Sequence, residues 1–195
     1  MPIALDATQL QCFDTGPVSL SVTGGQCLAV AGRSGSGKSI LLRMIADLVP
    51  HSGECRLDGV PASAIPAPLW RSQVRYAASE PGWWAPTIGE HFRDPAALAD
   101  RAAQLGLPKD AISAPPERLS TGERQRFAFL RAIEERPKVL LLDEPSSALD
   151  LEATLALEGM VRALMADGLA VILVSHDADQ ITRLADSILT IGDAA

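Results

Sequence analysis

No stretch of this sequence stays apolar for long enough to cross a bilayer. The longest runs, around Val139 to Leu142 and Leu169 to Val174, fall far short of the about 20 residues that a membrane helix needs. The opening MPIALDATQL lacks the basic start and long apolar stretch of a secretory signal. Lysine and arginine form no cluster, and the formal net charge is −7. That balance argues against a nucleic-acid binder and against attraction to an anionic lipid surface. Cysteine is scarce. Cys12, Cys27 and Cys55 show neither a C-x-x-C spacing nor matching histidine pairs, so reduced, mostly buried thiols are expected rather than a disulfide framework or a zinc site. A chain with these absences is expected in the cytoplasm. If it acts at a membrane, another subunit must span it.

What is present is an α/β rhythm. A length of 195 residues, 47% of them hydrophobic and 21% charged, suits one domain with a substantial core. Short strands are expected at Val18 to Val22 and, after a Gly24-Gly25 turn, at Gln26 to Ala31. A Gly-rich loop and a helix from about Lys38 to Leu48 follow, ended by Pro50 and Gly53. Cys55 to Leu57 reads as a strand closed by Asp58-Gly59, and Pro61 to Pro68 as a loop. From roughly Glu80 to Pro116 the texture changes to an Ala-rich, proline-bounded segment, helical over Pro95 to Leu105. The rhythm then returns. Helices are expected near Ser120 to Glu135, Leu151 to Asp167 and Ala178 to Ala185. Strands are expected at Val139 to Leu142, Ala170 to Val174 and Ser187 to Ile191. Strands alternating with helices imply a mainly parallel sheet with helices on its faces, a short antiparallel part at the N-terminus, and a small helical insertion. The domain division is one unit over 1–195, with a core of 1–78 and 119–195 and a helical part at about 80–118.

Residues 32 to 39 read GRSGSGKS, a match to the phosphate-loop pattern G-x-x-x-x-G-K-[ST] of P-loop NTPases. Gly32, Gly35 and Gly37 let successive backbone N–H groups turn inward as a nest for phosphate oxygens. Arg33, Ser34 and Ser36 contribute their backbone to the same cradle. The loop opens onto a helix N-terminus, where unpaired N–H groups favour anions. Lys38 is expected on the β- and γ-phosphates and the Ser39 hydroxyl on Mg²⁺. A chance Gly-rich turn would lack the apolar strand before the loop and the apolar-periodic helix after it.

The run VLLLDEPSSALD, Val139 to Asp150, is a buried strand that ends in two carboxylates. Asp143 is placed to hold the Mg²⁺ shell, and Glu144 to orient or deprotonate an attacking water. Standing alone, such a pair could equally be a solvated loop with a helix cap. His176 ends the next strand, at the carboxyl edge where open parallel sheets bind ligands. A lone histidine is more often structural, but from there it could touch Glu144 and a γ-phosphate. LSTGERQR, Leu119 to Arg126, opens a second helix whose N-terminus could hold an anion. The plainer reading is an N-cap in which Ser120 and Glu123 form a capping box, and the two readings are compatible.

The stretch Leu119 to Glu123 resembles the L-S-x-G-Q signature of the ATP-binding cassette (ABC) family, with Thr121 in the free position and Glu123 for Gln. The order of the motifs is also similar to that family over nearly the whole chain. The phosphate loop is at 32–39, the signature at 119–123, the carboxylates at 143–144, the D-loop Ser147, Ala148, Leu149 and Asp150 at 147–150, and a switch histidine at 176. The resemblance implies a Mg²⁺-dependent ATPase that works as a head-to-tail dimer. Each ATP would lie between one subunit's phosphate loop and the signature of a second ATP-binding subunit, so Ser120, Thr121, Gly122 and Glu123 would act in trans. The partner subunit could be identical or different. In transporters the motion passes to an integral membrane subunit, which would hold this chain on the cytoplasmic face.

Three positions depart from the family pattern. YAASEP, Tyr76 to Pro81, resembles the Q-loop Y-x-x-Q-x-P, but Ser79 replaces the Gln that touches Mg²⁺ or the attacking water. Serine is too short to reach the same point without a bridging water. Ile40 stands where Thr or Ser is usual, with no loss expected. The adenine-stacking aromatic is matched only by Phe13. The Trp83-Trp84 pair lies where the family docks its membrane subunit. Two adjacent residues of a strand cannot both face one core, so at least one indole is expected to be exposed, as an anchor or in intrachain packing. Within the family, the compact form and the QLGLP lead-in at Gln104 to Pro108 look most similar to small cassettes assigned to metal or iron export. The stretch between Ser79 and Ser120 is shorter than expected of import ATPases, and from the short run between His176 and Ala195 no C-terminal regulatory domain is expected. A soluble cassette ATPase uncoupled from transport is one alternative. It usually carries paired cassettes or a long coiled-coil insertion. A phosphate-loop small-molecule kinase is another, and it leaves LSTGE and SALD without a purpose.

Overall fold

The computed structural model describes residues 4–192 and contains two sheets. In chain order the elements begin with β1 (Ala4–Cys12), β2 (Thr15–Thr23), β3 (Cys27–Ala31), α1 (Lys38–Ile45), β4 (Ser52–Leu57) and β5 (Val60–Pro61). They continue with α2 (Ala67–Gln73), β6 (Val74–Ala77), α3 (Pro95–Gln104), α4 (Thr121–Ile133) and β7 (Val139–Asp143). The last four are α5 (Leu151–Ala166), β8 (Ala170–Val174), α6 (Ala178–Leu184) and β9 (Ser187–Thr190). One sheet is antiparallel, in the order β2-β1-β4-β5, and the other is parallel, in the order β6-β7-β8-β3-β9.

The parallel strands are buried on both faces, so they carry near-continuous apolar runs rather than an alternating pattern. Along β7, Val139 and Leu141 face the layer of α1 and the antiparallel sheet, whereas Leu140 and Leu142 face α4 and α5. Along β8, Ile172 and Val174 point to the first layer, and Val171 and Leu173 to the second. Two cores therefore share one sheet. The stretch 88–111 joins the second core through Ile88, Phe92, Leu98, Leu105 and Leu107, and the Phe92 ring meets Phe127 edge-on at 6.4 Å.

The α/β class, the parallel sheet and the small antiparallel part are as expected from the sequence. Several elements differ. The first antiparallel strand, β1, was not expected. The Pro61 to Pro68 loop is interrupted: Val60–Pro61 forms a short strand, and α2 starts at Ala67 with Pro66 as its cap residue. Proline is tolerated at a helix start because its missing N–H has no intrahelical partner there. Helix α2 buries Trp70, whose indole N–H donates to Ile45 O at 2.9 Å. Strand β6 follows at once and extends the parallel sheet beside β7. Helix α1 stops at Ile45 rather than Leu48, because Asp47 turns to a φ of +55°. All three cysteines are buried thiols without disulfides. Burial pushes Cys27 and Cys55 up to about 12, so both stay protonated at neutral pH.

Candidate functional site

The carboxyl ends of β3, β7 and β8 bring three chain-distant segments to one edge. The loop after β3 reaches the start of α1 through Gly37, whose φ is +91°. A side chain at Gly37 would collide with the buried Thr15, so this glycine is required by space as well as by backbone angle. No side chain caps α1. Its first N–H groups are therefore left for an anion. Lys38, 7% exposed, folds back so that Nζ donates to Gly32 O at 2.8 Å and Arg33 O at 2.9 Å. The lysine thus closes the loop from inside, at the centre of the arc that phosphates would fill. Arg33, Ser34 and Gly35 are exposed at the loop's tip, while Ser36 Oγ is buried without a partner. Ile40 is half-buried against the first core, a packing role that a hydroxyl residue would fill less well.

Asp143 is 1% exposed at the end of β7, and both its oxygens are engaged. Ser39 Oγ donates to Oδ1 at 3.0 Å and Tyr76 Oη donates to Oδ2 at 2.7 Å. Burial first, and then Asp143, push the Tyr76 hydroxyl up to about 12, so it remains a donor. The pair Ser39–Asp143 supplies hydroxyl and carboxylate oxygens, the donor type that a hard cation takes. Among the described residues no cluster of three or more His, Cys, Asp or Glu could hold a metal. Such a donor set suits Mg²⁺, which is usually held by one or two protein oxygens together with water and substrate phosphates.

Glu144 stands one residue on, with a φ of +52°, a left-handed backbone that costs a non-glycine residue about 1–2 kcal/mol. Its amide donates to Val174 O at 2.9 Å, which pins the turn to β8. The carboxylate lies against His176. The backbone N–H of His176 donates to Oε2 at 3.3 Å, and Nε2 lies 3.4 Å from Oε1. Oε1 is buried, and no hydrogen bond with proper alignment reaches it. Burial is the main cause that raises the Glu144 carboxyl above its ordinary 4.5, and His176 opposes that rise. A desolvated carboxylate with one unsatisfied oxygen is suited to accept a proton.

Leu119 to Glu123 form the expected capping box. Glu123 N donates to Ser120 Oγ at 3.2 Å, and Ser120 N donates to Glu123 Oε2 at 2.8 Å. Ser120 Oγ also donates to Glu123 Oε2 at 2.8 Å, and this bond first, with that from Ser120 N, holds the Glu123 carboxyl below its usual value. Ser120 and Thr121 are exposed, whereas Gly122 is buried against the D-loop of its own chain. A Cβ at Gly122 would stand 2.6 Å from Ala148 O and 3.1 Å from Leu149 Cδ2. Asp150 caps α5, accepting from Ala153 N at 2.8 Å.

Other expected residues stand apart from this cluster. Phe13 is 81% exposed in the β1–β2 turn, two positions before Thr15. Ser79 is half-buried, and its backbone carbonyl, rather than its hydroxyl, is engaged, by Gln125 Nε2 at 3.4 Å. Trp83 and Trp84 lie in an irregular segment rather than on a strand. Trp83 is half-buried and Trp84 is 74% exposed. The guanidinium of Arg131 lies 4.5 Å from the ring centroid of Trp83 and 4.7 Å from that of Trp84. Desolvation there lowers the Arg131 pKa to about 10. His91 supports both indoles edge-on, and its Nε2 accepts from Trp84 N and Ala85 N at 2.9 Å each. No sequence pattern singles out Thr15, which packs on Gly37, Tyr76, which bonds Asp143, or Gln125, which meets the Ser79 carbonyl.

The model of the family described as ABC transporter matches residues 15–147. The probable iron export ATP-binding protein FetA of Escherichia coli K12 is 33% identical over 186 residues, covering 89% of this chain and 82% of FetA. The aliphatic sulfonates import ATP-binding protein SsuB 2 of Agrobacterium fabrum is 38% identical over 178 residues, covering 88% of this chain and 68% of that protein. Among solved structures, one described as the ATP-binding subunit of an ABC transporter superposes with a TM-score of 0.85 at 24% identity, covering 96% of this chain and 85% of the other. At that identity the likeness is one of fold.

Proposed function

Since this chain belongs to the ABC transporter family, as an ATP-binding subunit that hydrolyses ATP to power transport, we propose that its residues divide the work as follows. The amides of 32–37 and Lys38 bind the phosphates, with Lys38 exchanging the carbonyls of Gly32 and Arg33 for phosphate oxygens. Phe13 offers an exposed ring to the adenine. Ser39 and Asp143 hold Mg²⁺, which when bound neutralises charge that develops on the transferring phosphoryl group. Glu144 takes the proton from water attacking in line, and His176 orients Glu144 and faces the γ-phosphate. Ser79 contributes through its backbone, while Tyr76, rather than the missing glutamine, braces the metal carboxylate. The single observation that carries this reading is the Ser39–Asp143 contact of 3.0 Å beside the desolvated Glu144.

Members of this family pair with a second ATP-binding subunit and with a membrane subunit. Exposed Ser120 and Thr121 are the surface offered to the partner's ATP. Among the described residues no helix is long and apolar enough to cross a membrane. We infer peripheral attachment on the cytoplasmic face, with the membrane subunit seated near Trp83 and Trp84. The segment of about 80–118 forms the helical part that carries this contact. Relatives named for iron export and for sulfonate import are similarly close, which fits a motor whose cargo is read by other subunits.

Glu144→Gln on a sizing column, with and without Mg-ATP, tests the assignment. A monomer-to-dimer shift that needs ATP, and that is lost on adding Ser120→Ala, is expected. A monomer under both conditions refutes ATP-driven pairing of this chain with itself.

A further inference from the structure

Helix α4 carries one buried polar side chain that the scheme above does not use. Gln125 is 5% exposed among Phe127, Phe129 and Leu130. Its amide meets two segments remote in sequence, the turn 144–148 and Ser79. Nε2 donates to Ser147 Oγ at 2.8 Å and faces Glu144 O at 3.3 Å and Ser79 O at 3.4 Å. Oε1 accepts from Ala148 N at 3.2 Å. The amide orientation follows from the partners, because a backbone N–H can meet only the oxygen and the two carbonyls only the nitrogen.

The nitrogen has two protons for three oxygens. One serves Ser147, and the carbonyls of Glu144 and Ser79 share the other. A displacement at either carbonyl therefore changes the hold on the other. Gly122, one turn earlier on the same face of α4, lets the helix approach Ala148 closely enough for this grip. On the same turn Ser146 Oγ donates to Oε1 of the fully buried Gln180 of α6 at 3.1 Å, and the Gln180 amide donates to the buried Glu158 at 3.2 Å. The turn 144–148 is thus held by two amides, each on a helix that begins at a functional segment.

We propose that Gln125 is a positioning residue for hydrolysis: it fixes the backbone of Glu144 and Ala148, and the Ser147 hydroxyl between them, to the signature helix and to the Ser79 segment. The strained Glu144 backbone makes the position sensitive, because the carboxylate's aim depends on how that turn is held. The proposal rests on Glu144 acting on water, as above.

The test uses the full chain as wild type, Gln125→Leu, Gln125→Glu and Glu144→Gln, with steady-state Mg-ATP hydrolysis and hydrogen exchange of the nucleotide-free protein. Gln125→Leu keeps the volume but removes the acceptor of Ala148 N and the donor to Ser147 Oγ and to both carbonyls, of which Glu144 O keeps Ser147 N at 3.3 Å. Gln125→Glu keeps an acceptor for Ala148 N and loses the donor. A small misplacement of a catalytic group can cost about 10²-fold, so kcat is expected to fall by about that factor in Gln125→Leu. KM should stay within about threefold, because the phosphate loop is untouched. Exchange at 144–148 should accelerate while 38–45 stays protected. Unchanged kcat with unchanged exchange at 144–148 would overturn the proposal. So would a rise in KM that matches the fall in kcat, together with exchange across the whole sheet, which would mark general loosening. If Gln125→Leu does not fold, Ser147→Ala removes the shortest contact alone, and loss of kcat at constant KM is again the expected result. Glu144→Gln separates the two levels. If it is inactive while Gln125→Leu is normal, only the role of Gln125 falls. If it is as active as wild type, the assignment of Glu144 falls, and with it this inference.

Discussion

Two glycines on helices offer the same substitution with opposite expected signs. Gly122 sits in the first turn of α4, where an added Cβ would lie 2.6 Å from the backbone oxygen of Ala148. Backbone cannot swing aside as a long side chain can, so either α4 or the D-loop must move. Overpacking of this kind typically costs about 1–3 kcal/mol. A partial offset comes from better helix propensity, which is worth up to about 1 kcal/mol in a helix interior and less in a first turn. Gly159 lies in the middle of α5, exposed, with nothing within 4 Å of its would-be Cβ. There only the propensity gain of about 1 kcal/mol remains. For a domain of this size 1 kcal/mol moves the midpoint by about 2–4 °C. Gly159→Ala should therefore raise the thermal midpoint by a few degrees, and Gly122→Ala should lower it by a similar or larger amount. Circular dichroism melts at one scan rate read both shifts. ATP hydrolysis below the transition should drop in Gly122→Ala, since the D-loop is displaced, and stay normal in Gly159→Ala. An upward shift in both variants would refute the close approach of α4 to Ala148.

Trp70→Ala removes a wholly buried indole and its bond to Ile45 O, and should cost about 3–5 kcal/mol, read as a lower urea midpoint with little change in the slope. The raised Glu144 carboxyl gives two pH effects. Activity should climb as pH rises through a value above the ordinary 4.5, and His176→Ala, which removes the imidazole's share of the opposing influence and keeps the backbone N–H, should move that climb to higher pH in a pH–rate profile. For stability the sign is reversed. The folded state binds its proton more tightly than the unfolded chain, so Glu144 costs stability as pH rises from 4.5 through the raised value. Melts of wild type against Glu144→Gln over that range should show the variant gaining ground with rising pH.

The parallel sheet was legible because strands covered on both faces advertise themselves as unbroken apolar runs, as in VLLLD and AVILV. The capping box of Ser120 and Glu123 was legible because its geometry depends on residues three apart. The phosphate loop could be read from a pattern that encodes backbone shape. Other features depend on what lies across space. Strand β6 has only one fully buried residue, Val74, and passes for a loop in isolation. Helix α2 hides behind prolines that serve as its start. Tyr76 matters because β6 sets it beside the end of β7, and Thr15 because it packs on Gly37. Gln125 did leave a trace: at helical spacing it shares a face with Gly122 and Phe129, and a polar residue on an apolar face calls for a partner. Of the tryptophan pair at least one indole was expected to be exposed, and Trp84 is; an irregular backbone, rather than strand alternation, lets both indoles meet Arg131 and His91.

That indole arrangement has an optical consequence. Of the three tryptophans, Trp70 is sealed in the core, while Trp83 and Trp84 bracket a guanidinium beside an imidazole at the surface. In Trp70→Phe, all remaining indole emission comes from the surface pair. The spectrum of that variant would report whatever settles on Trp84, without a dye and without a label.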